Sequence, residues 1–407
     1  MSNIPVVLVV PYPAQGHVNP LMILSQKLVE NGCRVVFLNT EFDHRRVVSS
    51  FGEQQQHSTN HDEESAVKLV SVPDGLGADD DRNDLSKLCD GLQNSMPKAL
   101  EKLIEHMHLK GDNRISFIVA DLCMAWALDV GRKFGIKGAI VWPASAAIFA
   151  LLWSLPSLIH GGTIDSDEWW LCNTTHELEP GALSFVPKLL PIGPLLRSYD
   201  SKFGITKAIG QFWEEDLSCM SWLDEQHHGT VLYVAFGSFT HFDQNQFSEL
   251  ALGLDLTNRP FLWVIREDNK MKYPHEFKGH KGKIVSWAPQ QKVLSHPAIA
   301  CFVTHCGWNS TIEGLSNGVP FLCWPYFADQ IQNRRYICDE LKVGLGFDED
   351  QNGLVSCKEV KLKVDQILSD ENTKSRSLEL KEKVMNNIVK GGASLDNFNR
   401  FVKWLKQ

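Results

Sequence analysis

The sequence predicts an α/β fold built from two doubly wound domains. Short apolar runs alternate with helical patterns through the first half of the 407-residue chain, and the alternation resumes after a Pro-rich stretch, PKLLPIGP, at 187–194. Repeated strand–helix–strand units are typical of parallel sheets covered by helices. We therefore expect two facing Rossmann-like domains with a ligand cleft between them. The expected parts are domains at 1–196 and 212–390, a linker at 197–211, and a helix at 391–407 that packs back on the first domain.

Uninterrupted apolar runs indicate the strands of the first domain, because strands of a parallel sheet are buried on both faces. The predicted strands are 6–10, 34–39, 66–72, 116–120 and 138–142. Helical patterns at 20–31, 85–108 and 126–134 lie between them. Gly32 provides a stop for the first of these helices, and the Pro-rich stretch at 187–194 interrupts the series.

The second domain repeats this organisation. Its predicted strands are 230–236, 260–265, 283–287, 300–304 and 320–324, with a helix at 244–256 and an amphipathic helix at 395–407. Ligands of open α/β sheets bind at the carboxyl ends of the strands. Two turns rich in polar residues follow predicted strands, at 11–19 and at 305–310, and we expect both to form binding sites.

Composition excludes several classes of function. A net charge of −9 and a pI of about 5.9 argue against binding to nucleic acid or to an anionic membrane. No run of 18 apolar residues exists to span a membrane, and the first apolar run lacks the basic flank of a signal peptide. The ten cysteines include no CxxC pair and the histidines form no metal pattern. We expect a cytoplasmic monomer with reduced thiols.

The block from Trp287 to Gln330 combines the parts of a nucleotide-sugar site. Trp287 follows a strand, where an indole can stack on a flat base. The turn at 305–310 opens a helix, whose unpaired N–H groups and dipole suit a diphosphate. Asp329 and Gln330 can pair with sugar hydroxyls. Each signal alone has a plain structural explanation, such as a core tryptophan or a capped helix, and their joint occurrence favours the binding site.

One of those plain explanations concerns the helix start. Ser310 and Glu313 have the spacing of a capping box, in which each side chain satisfies a backbone N–H of the first turn. Glu313 could instead accept both hydroxyls of a ribose, while Gln290 holds the edge of the sugar or base.

The sequence resembles the plant secondary-product UDP-glycosyltransferases over nearly its whole length. The matching segments are PYPAQGHVNP at 11–20, VADLCMAWALDVG at 119–131, PIGPLL at 191–196, VLYVAFGS at 231–238 and the block 287–330. The resemblance implies the GT-B fold, an inverting glycosyl transfer and a preference for UDP-glucose, which this family associates with the terminal Gln330. The implied donor contacts are Trp287 and Ala288 for uracil, Gln290 and Glu313 for ribose, His305, Asn309, Ser310 and Ser238 for diphosphate, and Trp308, Asp329 and Gln330 for the sugar.

The reaction needs a base that takes a proton from the acceptor hydroxyl. Histidine suits this role because its unperturbed pKa is near neutrality. His17 follows the first strand on a turn, and Asp121 ends another strand of the same sheet, where a carboxylate can orient the imidazole. The family resemblance implies the same pair as base and partner. We expect no metal and no cofactor, and departure of UDP without a general acid.

The acceptor should bind to the first domain. An apolar and aromatic lining predicts a hydrophobic small molecule with a hydroxyl, a phenolic such as a flavonoid or a terpenoid. The candidate lining residues are Pro13, Gln15, Leu122, Trp126, Trp142, Ser145 and Phe149. C-glycosylation on the same scaffold, and a non-catalytic protein that binds a nucleotide sugar or another small molecule, remain as alternatives.

Other enzyme classes lack their signatures. No GxSxG elbow supports a hydrolase, and no complete GxGxxG supports a dehydrogenase. The chain is shorter than the family pattern after Asp167 and within 266–283. Either these loops are true deletions, or disordered residues are missing from the sequence. The second explanation is favoured, and in that case the missing helix after Asp167 borders the acceptor pocket, so that the predicted lining is an incomplete wall.

Overall fold

A computed structural model describes residues 4–50, 67–109, 114–153, 168–197 and 210–407 of the chain. The chain divides into two compact units, the first formed by Met1–Glu214 with Lys390–Gln407 and the second by Glu215–Val389. Most of the expected linker at 197–211 lies outside the described residues. Among the described helices, none is long and apolar enough to cross a membrane.

The first unit contains a seven-stranded parallel sheet in the order β3-β2-β1-β4-β5-β6-β7. Its strands are β1 Val6–Val10, β2 Arg34–Thr40, β3 Val67–Val72, β4 Phe117–Asp121, β5 Lys137–Trp142, β6 Trp169–Cys172 and β7 Leu189–Pro191. Its helices up to this point are α1 Gln15–Glu30, α2 Glu41–Ser49, α3 Leu85–Leu109, α4 Trp126–Lys133, α5 Ala146–Trp153 and α6 Pro180–Phe185. Every residue of β1 and β4 is buried, as their apolar runs predict.

Two predictions for this unit are wrong. The first helix begins at Gln15, not at residue 20, so that His17 lies in its first turn and Pro20 in its interior. Gln15 accounts for the early start, because its side chain is buried and bonds to the backbone of Gly210 and Phe212. The Pro-rich stretch does not end the sheet. It contributes β7, an edge strand, where a proline costs no ladder hydrogen bond on its open side.

The second unit contains a six-stranded parallel sheet in the order β10-β9-β8-β11-β12-β13. Its strands are β8 Val231–Ala235, β9 Phe261–Val264, β10 Gly282–Val285, β11 Ile299–Thr304, β12 Phe321–Cys323 and β13 Gly344–Gly346. Its helices are α7 Ser218–Asp224, α8 Gln244–Thr257, α9 Gln290–Ser295, α10 Trp308–Asn317, α11 Gln330–Arg335, α12 Cys357–Ser369 and α13 Glu371–Met385.

The last helix, α14 Ala393–Leu405, belongs to the first unit. Its apolar face contributes Phe398, Phe401 and Leu405 to the same buried cluster as the strands of that sheet. The rings of Trp169 and Trp404 lie 5.7 Å apart between centroids. Aromatic side chains bury large apolar areas, so these contacts hold the terminal segment on the sheet of the first unit.

The strand order of each sheet determines where the polar turns lie. In each sheet the winding direction reverses between two adjacent strands, β1 and β4 in the first unit and β8 and β11 in the second. Open α/β sheets bind ligands beside the carboxyl ends of the strands at such a switch point. His17 and Asp121 follow β1 and end β4, and Ser238 and His305 follow β8 and β11. Both predicted sites therefore lie where the topology favours a ligand.

The two short segments differ in what the structure describes. Residues 266–283 form the connection between β9 and the start of β10, and the Asp255 carboxylate accepts the backbone N–H of Lys278 at 2.6 Å and of Gly279 at 3.0 Å. Residues 154–167, which form the other short segment, lie outside the described residues.

Candidate active site

A histidine–carboxylate pair stands at the switch point of the first unit. His17 Nδ1 and Asp121 Oδ2 are 2.6 Å apart, although the two residues are 104 positions apart in the sequence. Asp121 is fully buried and the His17 side chain is 26 % exposed. The other Asp121 oxygen accepts the backbone N–H of Cys123 at 2.9 Å, so the carboxylate cannot rotate without losing a hydrogen bond. The pair can hold an imidazole in one orientation.

Four of the predicted acceptor residues are close to this pair in the sequence. Pro13, Leu122 and Trp126 are partly exposed, on the segments that follow β1 and β4. Nε1 of Trp126 is buried and has no partner among the described residues. Gln15 is buried, and its side chain also bonds to the Gln211 side chain at 2.9 Å. Its hydrogen bonds serve the local structure, and an acceptor contact for Gln15 stays a prediction.

The other three predicted acceptor residues are buried around the start of α5. Trp142 Nε1 donates to the Ser145 carbonyl at 2.7 Å, and the Trp142 and Phe149 rings pack edge to face. The Ser145 hydroxyl donates to Glu179, which also accepts the N–H groups of the first turn of α5. Burial raises the pKa of Glu179, and its hydrogen bonds oppose that shift. The contacts of these three residues are internal to the first unit, and an acceptor contact for each of them stays a prediction.

In the second unit, the predicted ribose contacts form one hydrogen-bonded group. Gln290 Nε2 donates to Glu313 at 2.7 Å and to the Ser310 hydroxyl at 2.9 Å. Gln290 Oε1 accepts the hydroxyl of Tyr233, a residue that the sequence analysis did not predict, at 3.1 Å. Trp287 and Ala288 precede this group directly, with Trp287 partly exposed and Ala288 buried. The side chains named for uracil and ribose are therefore close neighbours.

The capping-box interpretation of Ser310 and Glu313 is wrong. Helix α10 begins at Trp308 after an N-cap of Gly307 that offers no side-chain hydrogen bond, and Ser310 lies inside the first turn. An N-terminus without a side-chain cap leaves its N–H groups to other acceptors, as a diphosphate site requires. Trp308 is buried and Asn309 partly exposed in the same turn.

His305 fills the space between two glycines. A Cβ atom on either Gly237 or Gly307 would lie 2.5 Å from His305 Nε2, closer than real Cβ atoms approach. Gly237 also has a φ of +68°, in the region that favours glycine. Nδ1 of His305 is buried with no partner among the described residues. The glycines thus allow an imidazole beside the helix start, and Ser238 lies next to it in the chain.

The sugar-hydroxyl candidates lie at the start of α11. Gln330 is its first residue, and its Oε1 accepts the backbone N–H of Tyr326 at 2.8 Å and of Phe327 at 3.1 Å. Asp329 accepts the amide of Asn333 at 2.9 Å. The oxygen of the Gln330 amide therefore holds the preceding loop, and its amide nitrogen is the atom that suits a sugar oxygen.

Comparisons with known proteins agree along the whole chain. Residues 209–385 match the family model for UDP-glucoronosyl and UDP-glucosyl transferases, and residues 3–133 match that for the N-terminal domain of glycosyltransferases. UDP-glycosyltransferase 83A1 of Arabidopsis thaliana is 41 % identical over 457 aligned positions, which cover 99 % of this chain and 97 % of the relative. The chain belongs to the plant UDP-glycosyltransferase family.

Solved structures support the same assignment. Os79 from O. sativa in complex with UDP matches with a TM-score of 0.84 and 25 % identity, covering 98 % of this chain and all of that one. Phytolacca americana UGT2 with UDP-2fluoro-glucose and pterostilbene matches with a TM-score of 0.78 and 26 % identity, covering 99 % and 100 %. The predicted α/β GT-B fold class and the enzyme class are confirmed. The alignment with the Arabidopsis relative is longer than this glycosyltransferase itself, which agrees with its short internal segments.

Arg266 is a second residue that sequence reasoning missed. It is buried, and its guanidinium donates to the carbonyls of Gly237 at 3.1 Å and Thr240 at 3.2 Å. These bonds hold the turn that carries Ser238. The signal in the sequence was a lone arginine directly after a predicted strand, which has no distinctive spacing. Arg266 also lines a cavity of about 190 Å³ with Thr240 and Phe242.

We expect His305 to make the folded enzyme sensitive to acid. Burial of the ring lowers the pKa of His305 to about 4, and Arg266 adds to the shift, while a hydrogen bond with the Ala235 backbone opposes it. Because the pKa in the folded state is below the value of about 6.5 in the unfolded state, stability is lost as the pH falls from 6.5 towards 4. Over this pH range the free energy of unfolding should fall by about 3 kcal/mol. Thermal unfolding at several pH values measures it.

A His305→Asn variant provides the control for this titration, because asparagine has no charge over the same range. The difference in unfolding temperature between the wild type and this variant should change between pH 7 and pH 4.5. A constant difference would show that another group carries the acid sensitivity.

Proposed function

We propose that this glycosyltransferase moves glucose from UDP-glucose, with inversion, to a hydroxyl of a hydrophobic small molecule, with His17 as general base and Asp121 as its partner. The observation that carries the proposal is the 2.6 Å contact of His17 Nδ1 with the fully buried Asp121 carboxylate. A carboxylate on Nδ1 favours the tautomer with the proton on that nitrogen. Nε2 then has the lone pair that a base needs.

The proposed reaction is a single displacement. As the acceptor oxygen attacks the anomeric carbon, its proton passes to Nε2 of His17 and the bond to the UDP oxygen breaks on the opposite face. The imidazolium that forms is stabilised by Asp121. General base catalysis of this kind contributes about 10²- to 10⁴-fold. UDP departs as an anion and needs no proton from an acid.

The diphosphate charge is proposed to be stabilised without a metal ion or another cofactor. The uncapped start of α10 supplies N–H groups and the positive end of a helix dipole. Asn309 and Ser310 are polar side chains in the first turn of α10, and Ser238 lies on the turn that follows β8. His305 takes part as a neutral hydrogen-bonding group, because its lowered pKa keeps it uncharged at neutral pH. EDTA should therefore not lower turnover.

For the sugar, we propose contacts with Trp308, Asp329 and Gln330. The carboxylate of Asp329 and the amide nitrogen of Gln330 stand at the start of one helix, where they can reach adjacent hydroxyls. Glucose rather than galactose is favoured by the terminal glutamine, as the family resemblance implies. The structure of Phytolacca americana UGT2 contains UDP-2fluoro-glucose, a derivative of the same sugar.

For the acceptor, we propose a phenolic, such as a flavonoid, or a terpenoid. Pro13, Leu122 and Trp126 are partly exposed apolar and aromatic residues on the segments that follow β1 and β4, the strands that His17 follows and Asp121 ends. Trp126 Nε1 supplies one buried donor for a polar atom of the acceptor. C-glycosylation uses the same base to deprotonate a phenol and remains the second candidate reaction. The described cysteines are all free, which supports a reducing, cytoplasmic location, and we propose that the enzyme acts as a monomer.

The deciding experiment measures UDP release from UDP-glucose with a panel of phenolic and terpenoid alcohols, followed by mass spectrometry of the products. We expect one acceptor class to gain the mass of a hexose, and acid hydrolysis of the product separates O- from C-glycosides. UDP-galactose is the matched control donor and should react more slowly. Binding of UDP-glucose without transfer to any acceptor would favour the non-catalytic alternative.

Trp287 should contribute a measurable part of the affinity for UDP. Stacking of a base on an aromatic ring is worth about 1–3 kcal/mol, so Trp287→Ala should weaken UDP binding roughly five- to 150-fold. Isothermal titration calorimetry with UDP measures this change. Trp287→Phe retains a ring and should recover most of the affinity, whereas equal losses in both variants would contradict a stacking role.

A further inference from the structure

We propose that His17, Asp121 and Cys123 bind one zinc ion, which inhibits the enzyme. One ligand atom from each residue lies within 4.8 Å of the ligand atoms of the other two. The three residues come from α1, the end of β4 and the turn that follows β4. His17 lies beside Asp121 and Cys123 only in the folded chain. The sequence therefore contains no spacing typical of a metal site.

The donor set suits zinc better than calcium or magnesium. Zn²⁺ is bound by imidazole nitrogen, thiolate sulfur and carboxylate oxygen, whereas Ca²⁺ and Mg²⁺ prefer oxygen ligands alone. Three protein ligands with an open fourth position are a common zinc arrangement. Cys123 is exposed and the His17 side chain is 26 % exposed, so an ion from solvent can reach the three ligands.

Asp121 links the other two ligands before any metal arrives. Its carboxylate contacts His17 Nδ1, accepts the Cys123 backbone N–H at 2.9 Å and lies within hydrogen-bonding reach of the Cys123 thiol. Bond lengths of roughly 2.0–2.3 Å around zinc place neighbouring ligand atoms about 3.2–3.8 Å apart. Binding therefore requires the His17–Asp121 contact of 2.6 Å to open by about 0.6–1.2 Å and the thiol to turn towards the other two ligands.

Zinc binding releases one proton and moves another within the site. Zinc replaces the thiol proton of Cys123, which is released to solvent. It also takes the lone pair of Nδ1, so that the imidazole proton moves to Nε2. An Nε2 that carries a proton cannot accept one from the acceptor hydroxyl. Inhibition rests on the proposed role of His17 as the base, whereas metal binding itself does not.

Cobalt(II) provides a test that needs no turnover. The full chain, freed of metal with a chelator, is titrated with CoCl2 in the absence of nucleotide and acceptor. We expect one Co²⁺ per chain and a thiolate-to-cobalt absorption band in the near ultraviolet. Cys123→Ser should lose this band. Cys357→Ser is the matched control, because the Cys357 thiol also lies beside a carboxylate, that of Glu249, and it should retain the band.

The inhibition is measured separately as UDP release in the presence of ZnCl2. Without zinc, Cys123→Ser should turn over like the wild type, since its backbone N–H still bonds to Asp121. Its inhibition constant for zinc should rise at least about tenfold, because loss of a contributor to a metal site costs that much affinity or more. Equal inhibition of the wild type and Cys123→Ser, or the absence of a thiolate band in the wild type, would overturn the proposal. The cobalt titration measures metal binding without turnover. It therefore tests the metal site even if the enzyme transfers no glucose.

Discussion

His17→Ala should lower the turnover of UDP-glucose by about 10²- to 10⁴-fold. The variant removes the proposed base and leaves Asp121 buried with no imidazole beside it. The residues proposed to bind UDP-glucose all belong to the second unit, Glu215–Val389, whereas His17 belongs to the first. The dissociation constant of UDP should therefore stay within about twofold of the wild-type value. Isothermal titration calorimetry measures it.

Two comparisons isolate the chemical step in this variant. His106→Ala removes an exposed histidine from α3 of the same unit and should retain full turnover. A melting temperature of His17→Ala close to the wild-type value excludes unfolding as the cause of lost activity. Full turnover of His17→Ala with an intact donor site would show that another group takes the acceptor proton.

The sequence predicted most strands because their burial on both faces produces continuous apolar runs. β1 matches its predicted bounds, and most other predicted strands agree within two residues. The edge strand β7 was missed, because two prolines flank its apolar residues and outweigh them in a local pattern. The first turn of α1 was missed for a related reason. Gly16 and Pro20 disfavour a helix locally, and the contacts of Gln15 with residues 210–212 that stabilise it are distant in sequence.

For the candidate sites, residue types were predictable and contacts were not. The resemblance named Gln290, Ser310 and Glu313, but only the fold shows that one amide joins the other two side chains. Tyr233 gives no signal in the sequence and Arg266 only an undistinctive one, because their roles arise from neighbours that are distant along the chain. The same holds for Cys123, whose thiol gains significance only beside His17 and Asp121. Local patterns predict elements, whereas side-chain networks depend on tertiary packing.

Asp121→Asn should reduce turnover nearly as much as loss of His17, by up to about 10⁴-fold. Asparagine has the same shape and retains an oxygen that can accept the Cys123 backbone N–H. Its amide, however, can donate to Nδ1 of His17, which favours the tautomer with the proton on Nε2. That tautomer cannot accept a proton from the acceptor. The KM for UDP-glucose should change little, because the proposed donor contacts belong to the second unit.

The double variant His17→Ala/Asp121→Asn decides whether the two residues act as one unit. If Asp121 acts only through His17, the double variant should be no slower than His17→Ala alone, since the effects of residues that act together are not additive. Steady-state UDP release of all three variants measures this coupling. A double variant that is slower by the product of the two single effects would assign Asp121 a role independent of His17. Near-wild-type turnover of Asp121→Asn would refute the partnership, because the buried 2.6 Å contact would then serve the fold and not the proton transfer.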